Sequence, residues 1–479
     1  MGMIMDPIKR TIDYNRELFG CFEEFFSRAT GMPANEFATI GTFGEVIRKK
    51  KGRDFASNVK QAFQYLDTDI RPFYSRGGID VFTDISQLGG MNLLIGGGSG
   101  FHQTHMDAVS TAILYSDTIM IPDPVLPWIE SNREEERFAN IRLLEAVHAI
   151  LQLKPLVDAD LPKPAIAVFP SWERTLLAND KTTQEGIWQM VADTISNSIQ
   201  IPSLSIDDVY KYSDRNPERF CELVEQHHLV IAPGGSINDT LPDALTQYQN
   251  KFLLWNSEEF VKKYSALPIN RKIIYNIYER ISPVYHLLEN AQELNGNPLI
   301  PIEQQAHYYR LVSQSHNANL ERLDIIDPKT TALINAMGSK RLQWLEGIPV
   351  DTLAMLRMDL ENVTFRKRLT DAVSRLHESE ISNINRVTSE VSHEIEMAIG
   401  EYNKSARQIQ QKYDNKHLQT FGVAAIALFV SLFPMLAPIF GGLPALGPGI
   451  KYINDKMDEH KEKHTLSHSL MGVLAIRKS

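Results

Sequence analysis

Cysteine is scarce, positive charge is in deficit, and over one long stretch charge is missing altogether. Cys21 and Cys221 are the only two cysteines in 479 residues. They supply neither a disulfide framework nor a CxxC metal pair, so a reducing compartment is the expectation. The formal net charge of -10 argues against a generic nucleic-acid surface, because neutralising phosphates takes an excess of Lys and Arg. One short basic run, Arg48, Lys49, Lys50, Lys51 and Arg53, reads as a solvated face. The start, MGMIMDPIKR, lacks the charged end and apolar core of a secretory signal. It matches a myristoylation start only at Gly2, with Asp6 where Ser or Thr belongs. Synthesis in the cytoplasm is expected, with any membrane contact made through the C-terminal region.

The missing charge lies between Leu418 and Ile450, where no Asp, Glu, Lys, Arg or His occurs. About 20 apolar residues suffice to cross the hydrocarbon core, and this run has roughly 33. Backbone in lipid must satisfy its own hydrogen bonds, which favours a helix. The apolar side chains expected to meet lipid are Phe421, Leu428, Phe429, Leu432, Phe433, Leu436 and Phe440. Pro434 would kink a single span, and the later glycines and prolines (Gly441, Gly442, Pro444, Gly447, Pro448, Gly449) also permit a hairpin. Lysines and an arginine flank both sides (Lys404, Arg407, Lys412 and Lys416 before; Lys451, Lys456, Lys461 and Lys463 after), so charge does not orient the segment. The alternative is a core hairpin enclosed by protein. Beyond it, His460, His464 and His468 recur every four residues in a charged tail and read as a solvated helix face.

Apolar content of 43% and charged content of 23% are ordinary for folded chains, and the length allows two or three domains. Residues 1–89 read as helical, with Leu18, Phe22, Phe25 and Phe26 at helical spacing. From 90 to 238 the pattern changes to short apolar runs, MNLLIGG, TIMIP, PAIAVFPS and HLVIAPGG, separated by helical stretches at Thr104–Tyr115 and Glu134–Leu153. Such alternation predicts a mixed, helix-rich α/β fold around a parallel or mixed sheet. Residues 239–350 read as helical again, 351–417 as a long helical stalk, 418–450 as the membrane-inserting segment and 451–479 as a charged tail.

The stalk carries a stripe at steps of four, four and three: Phe365, Leu369, Val373, Leu376, Glu380, Ile384, Val387, Val391, Ile395, Ala398, Tyr402, Ala406, Ile409 and Tyr413. Eleven residues over three turns average about 3.67 per turn, so the stripe would run nearly straight along one helix of roughly 85 Å. It needs a cover, either from its own domain or from a second subunit as a homo-oligomer.

The best candidate site is LIGGGSGFHQTHMD, Leu94–Asp107. A strand, a glycine loop and a helix start in succession present free amides to a small anionic ligand such as a phosphate or carboxylate. Gly96, Gly97, Gly98, Ser99 and Gly100 would form the loop, joined by Asp123 of IPDPVLPWIE and by Gly234, Gly235 and Ser236 of the later PGGS turn. GxGxG lacks the third Rossmann glycine, Ser99 misses the nucleophile-elbow spacing by one position, and no P-loop, HExxH or EF-hand pattern occurs. His102, His105 and Asp107 are catalytic or metal-ligand candidates by spacing, with Asp117, Asp123, Asp158 and Asp160 as further carboxylates. No particular cofactor is implied.

These readings lead to an effector or signalling protein on the cytoplasmic face of a membrane, in which an α/β sensor head controls a stalk and an apolar tail. Membrane perturbation in cellular defence extends that expectation. The alternatives are a membrane-anchored metal- or phosphate-dependent hydrolase or transferase built on the Gly96–Asp107 loop, and an oligomeric scaffold.

Overall fold

The computed structural model describes residues 6–37, 53–96, 103–130, 137–170, 181–202, 205–255, 258–300, 303–322, 343–345, 350–377 and 421–423, with scattered positions between 390 and 404. They fall into two compact units. The first takes the described residues of 1–178, 290–301 and 337–437, and the second those of 179–289 and 302–336.

The first unit opens with α1 (Pro7–Thr30), whose start and end follow from its flanking residues. The Asp6 side chain accepts from the Ile8 amide at 3.1 Å, Pro7 occupies the first turn, and Gly31 ends the helix with a left-handed φ of 72°. Leu18, Phe19, Phe22, Phe25, Phe26 and Ala29 form its buried face. After α2 (Arg53–Tyr65), a π-helical turn at Leu66–Ile70 leads into α3 (Arg71–Ser86). Pro72 lacks an N–H for the Thr68 carbonyl, and the widened turn before it accommodates that loss.

The sheet contains β1 (Asn92–Ile95), β2 (Thr118–Pro122), β3 (Ile166–Phe169) and β4 (Asn297–Leu299), in the order β3-β2-β1-β4. Every pairing is parallel. All four residues of β1 and of β3 are buried, as unbroken apolar runs imply when both faces are covered. Between the strands lie α4 (Gln103–Ala112), α5 (Leu126–Glu130), α6 (Arg137–Leu151) and α7 (Lys154–Asp158). Strand β3 is an edge, and Asn15 of α1 closes part of it: its Oδ1 accepts from the Val168 amide at 2.7 Å, while its Nδ2 donates to the Thr11 carbonyl at 2.8 Å.

The second unit is helical among its described residues: α8 (Lys181–Ile199), α9 (Ile206–Arg215), α10 (Pro217–Gln226), α11 (Leu241–Trp255), α12 (Glu258–Ser265), α13 (Ile269–Glu293) and α14 (Glu303–Arg322). The run HLVIA, expected as a strand, joins no ladder, although Leu229, Val230, Ile231 and Ala232 are buried. Side chains satisfy its backbone instead. The Tyr308 hydroxyl accepts from the Ile231 amide and donates to the Leu229 carbonyl, both at 2.9 Å, and Arg280 Nε donates to the Ile231 carbonyl at 3.1 Å. An apolar run requires burial, and here side chains supply the hydrogen bonds a neighbouring strand would otherwise make.

Two further strands, β5 (Gln343–Leu345) and β6 (Phe421–Val423), pair antiparallel, with Phe421 opposite Leu345. Phe421, counted above with the membrane segment, is therefore in a strand rather than in a helix. Leu428, Phe429, Leu432, Phe433, Leu436 and Phe440 lie outside the described residues. Among those described, no helix is long and apolar enough to cross a membrane.

The expected straight stalk is corrected as well. It begins as α15 (Val350–Met358) and α16 (Leu360–His377). Phe365 stacks on Tyr402, with ring centroids 4.4 Å apart and planes 10° apart, and Arg368 pairs with Glu401 at 2.8 Å. On one straight helix residues 365 and 402 would stand roughly 55 Å apart at 1.5 Å per residue. The stripe meets itself instead, and Tyr115 closes the cluster edge-on to both rings. Same-chain residues thus cover this part of the stripe.

What ties α15 and α16 to the sheet unit is polar and buried. Arg357, 2% exposed, donates from Nη1 to the Ser116 carbonyl at 2.5 Å and from Nη2 to the Asp117 carbonyl at 2.6 Å. Asn362 Nδ2 donates to the Leu114 carbonyl and to the Tyr402 hydroxyl, each at 2.8 Å. Arg366 forms an ion pair with Asp117, whose other oxygen accepts from the Met91 amide at 2.9 Å. Gly90 sits against that carboxylate with φ of 87°, where an added Cβ would lie 2.4 Å from Asp117 Oδ2. Burial, and then the nearby Arg366 charge, lower the Arg357 pKa to about 9, with Asp117 acting in the opposite sense.

Replacing Arg357 with Ala leaves two carbonyls without their donor and should cost about 2–4 kcal/mol, read as a fall in the urea midpoint. A double-mutant cycle on Phe365→Ala and Tyr402→Ala should give a coupling of about 1 kcal/mol. Additive effects would mean that the two rings do not meet.

Candidate functional site

In a parallel sheet all carboxyl ends lie along one edge. Here that edge carries Gly96 after β1, Asp123 after β2, Pro170 after β3 and Ile300 after β4. The order β3-β2-β1-β4 reverses direction between β1 and β4, and such a reversal opens a crevice beyond the strand ends. Gly96, where the glycine run begins, follows β1 at this point, and α4 starts seven residues later at Gln103. Gly96 is described and buried, whereas Gly97, Gly98, Ser99, Gly100 and His102 lie outside the described residues. His105 is buried in α4, and the Asp107 side chain is not among those described. No group of three or more metal-ligand side chains forms among the described residues.

Asp123 is the one sequence-selected carboxylate with a full environment on this edge. It is buried, and Oδ1 accepts from the amides of Val125 at 2.7 Å and Leu126 at 3.1 Å, starting α5. Oδ2 accepts from the Tyr74 hydroxyl at 2.6 Å. Both oxygens therefore have internal partners, which gives Asp123 a turn-forming role whatever else it does. Burial raises its pKa to about 6, against the opposing pull of the Tyr74 hydroxyl and the two amides.

Two tyrosines join this cluster that the sequence did not single out. Burial, and next the Asp123 charge, push both hydroxyls above their ordinary pKa. Tyr14 stacks on Phe73 at 4.7 Å, and its buried hydroxyl has no hydrogen-bond partner among the described residues. Tyr14 and Tyr74 come from α1 and α3, respectively 109 and 49 residues before Asp123, and no local motif connects them.

The other candidates disperse. Asp117 precedes β2 and sits at the amino edge, engaged by Arg366. Asp158 precedes β3 and pairs with Lys154 at 2.8 Å, and Asp160 also precedes that strand. The turn at Pro233–Ser236 belongs to the second unit. Gly234 has a φ of 81° there, and an added Cβ at Gly235 would lie 2.8 Å from Asp239 Oδ2. The Ser236 amide donates to that Asp239 oxygen at 2.9 Å, and Gln304 Nε2 donates to the Gly235 carbonyl at 2.5 Å. Asp239 already occupies one of the amides that an anion would use.

The raised Asp123 pKa carries a definite sign. Its folded value, about 6, lies above the ordinary 3.8, so the folded state holds the proton more tightly. That contribution to stability is complete below pH of about 4 and disappears as pH rises through about 6. The stability of the parent protein relative to Asp123→Asn should therefore fall by up to about 2–3 kcal/mol between pH 4 and pH 7, measured as paired urea unfolding curves. A difference independent of pH would place the titration elsewhere.

No protein-family model, curated protein or solved structure matches this chain.

Proposed function

We propose that the α/β unit is a sensing head for a small anionic ligand, phosphate- or carboxylate-bearing, and that the C-terminal helices and the apolar segment carry its output to a lipid bilayer. The protein then acts at the cytoplasmic face of a membrane as an effector or signalling component. The observation that carries this reading is the use made of the two edges of one sheet. The glycine loop leaves the carboxyl edge at the reversal of strand order, while Arg357, Asn362 and Arg366 hold the output helices at the amino edge through residues 114–117. Strand β2 (Thr118–Pro122) lies between Asp117 at the second edge and Asp123 at the first, and connects the two directly.

Ligand differential affinity for two packings of these helices is what such a device requires. Beyond β6, the uncharged run Ala424–Ile450 supplies an output of bilayer length. Association with a second copy through the stalk is compatible with the same mechanism.

Two measurements on the full chain test this reading. Flotation with phosphatidylcholine–phosphatidylglycerol vesicles, followed by carbonate washing, should retain the parent protein in the lipid layer and lose a Leu432→Asp, Phe433→Asp variant at least tenfold. Complete recovery of the parent protein in the soluble fraction overturns the membrane arm. Pyrophosphate in the millimolar range should raise the melting temperature, less so in Gly98→Val. Unchanged melting of the parent protein across a panel of phosphates and carboxylates overturns the ligand arm.

A further inference from the structure

Scattered exposed apolar side chains are ordinary, but a cluster of large ones calls for a cover. Around the junction of α15 and α16, four occur within nine residues: Met355 is 42% exposed, Met358 52%, Leu360 77% and Val363 42%. Met355 and Met358 lie three apart on α15, so they share its outward face, while Leu353, Leu356 and Arg357 point inward. Leu360 and Val363 repeat the arrangement on α16, opposite the buried Asn362 and Phe365. Each helix therefore buries one face against its own unit and leaves a second apolar face open.

Chain geometry brings one candidate occupant close. Phe421 pairs directly with Leu345, and four residues separate Leu345 from the start of α15 at Val350. Even a fully extended link followed by one and a half helical turns keeps the start of the uncharged run within roughly 30 Å of Met355. The stretch Ala424–Ala437 follows directly and would measure about 20 Å as a helix. It contains no charged side chain, so an apolar face can receive it without desolvating an ion.

We infer that the surface formed by Met355, Met358, Leu360 and Val363 is an intramolecular docking site for the apolar segment 424–437 of the same chain. Docked there, the segment is withheld from lipid. Because the surface sits on the helices anchored at Ser116 and Asp117, a change in their packing alters the site and releases the segment. The release step rests on the membrane reading above, but the docking does not.

Full-length protein with Cys21→Ser and Cys221→Ser, carrying Met358→Cys together with Leu428→Cys, Leu432→Cys or Leu436→Cys in turn, is treated with a short bismaleimide. Cross-linking within single chains is expected for at least one pair, seen as faster gel migration. Cross-links only between chains assign the surface to a second copy and overturn the proposal, as does the absence of any cross-link. In parallel, Met358→Asp with Leu360→Asp changes exposed positions only, so the fold should persist in the far-UV spectrum and melting curve. This variant should bind the same vesicles severalfold more than the parent protein. Weaker binding would mean that the surface itself meets lipid, and unchanged binding that it stores nothing; either overturns the proposal. Should the pair misfold, Met355→Gln serves in the same assay. Intrachain cross-links with no vesicle binding by any variant would leave the docking standing and defeat the membrane reading.

Discussion

The guanidinium of Arg357, buried against the carbonyls of Ser116 and Asp117, is the constraint on which the C-terminal half of the first unit depends. Burying an arginine is costly unless its donors are used, and a planar fork facing two successive carbonyls uses two of them in one orientation. That orientation sets α15 on the sheet's amino edge. Asn362 and Arg366 then continue the same attachment along α16, and Tyr115, Phe365 and Tyr402 close over it as an aromatic cluster. The polar bonds specify where the helices sit, and the rings supply apolar burial around them.

The parallel sheet divides the unit's surfaces by their chemistry. Its amino edge is taken up with attachment, through Asp117, Met91, Gly90 and the C-terminal helices. Its carboxyl edge carries Gly96, the first residue of the glycine run, and a carboxyl group whose proton affinity burial has raised into the range of mild acid. Chain order matters here. The sheet is left after β3, the helical unit intervenes, and the chain returns to add β4 beside β1. Without that return, the strand order would not reverse at the glycine loop.

Three of the four parallel strands were legible because an apolar run of four or five residues bounded by Gly or Pro has few other uses. Strand β4 was not: Asn297, Pro298 and Leu299 offer no apolar run, and proline is tolerated there because β4 forms an edge of the described sheet. HLVIA erred in the opposite direction, since hydrophobicity reports burial and says nothing of who supplies the hydrogen bonds. At the site, the glycine loop and Asp123 were visible as local patterns. Tyr14 and Tyr74 were not, because only folding brings α1 and α3 to the end of β2.

Local spacing along the chain was enough to determine the uncharged run, three of the apolar strands, the helical face of Leu18, Phe22, Phe25 and Phe26, and the three-and-four stripe, since each depends on residues within a turn or two of one another. The tertiary structure alone decided the parallel order of the strands, the meeting of Phe365 with Tyr402, and the partners of Asp117, Asp123 and Arg357. Those outcomes join residues tens to hundreds of positions apart. Which elements meet is settled by the total area they bury and the polar groups they satisfy together, and no short window of sequence contains that balance.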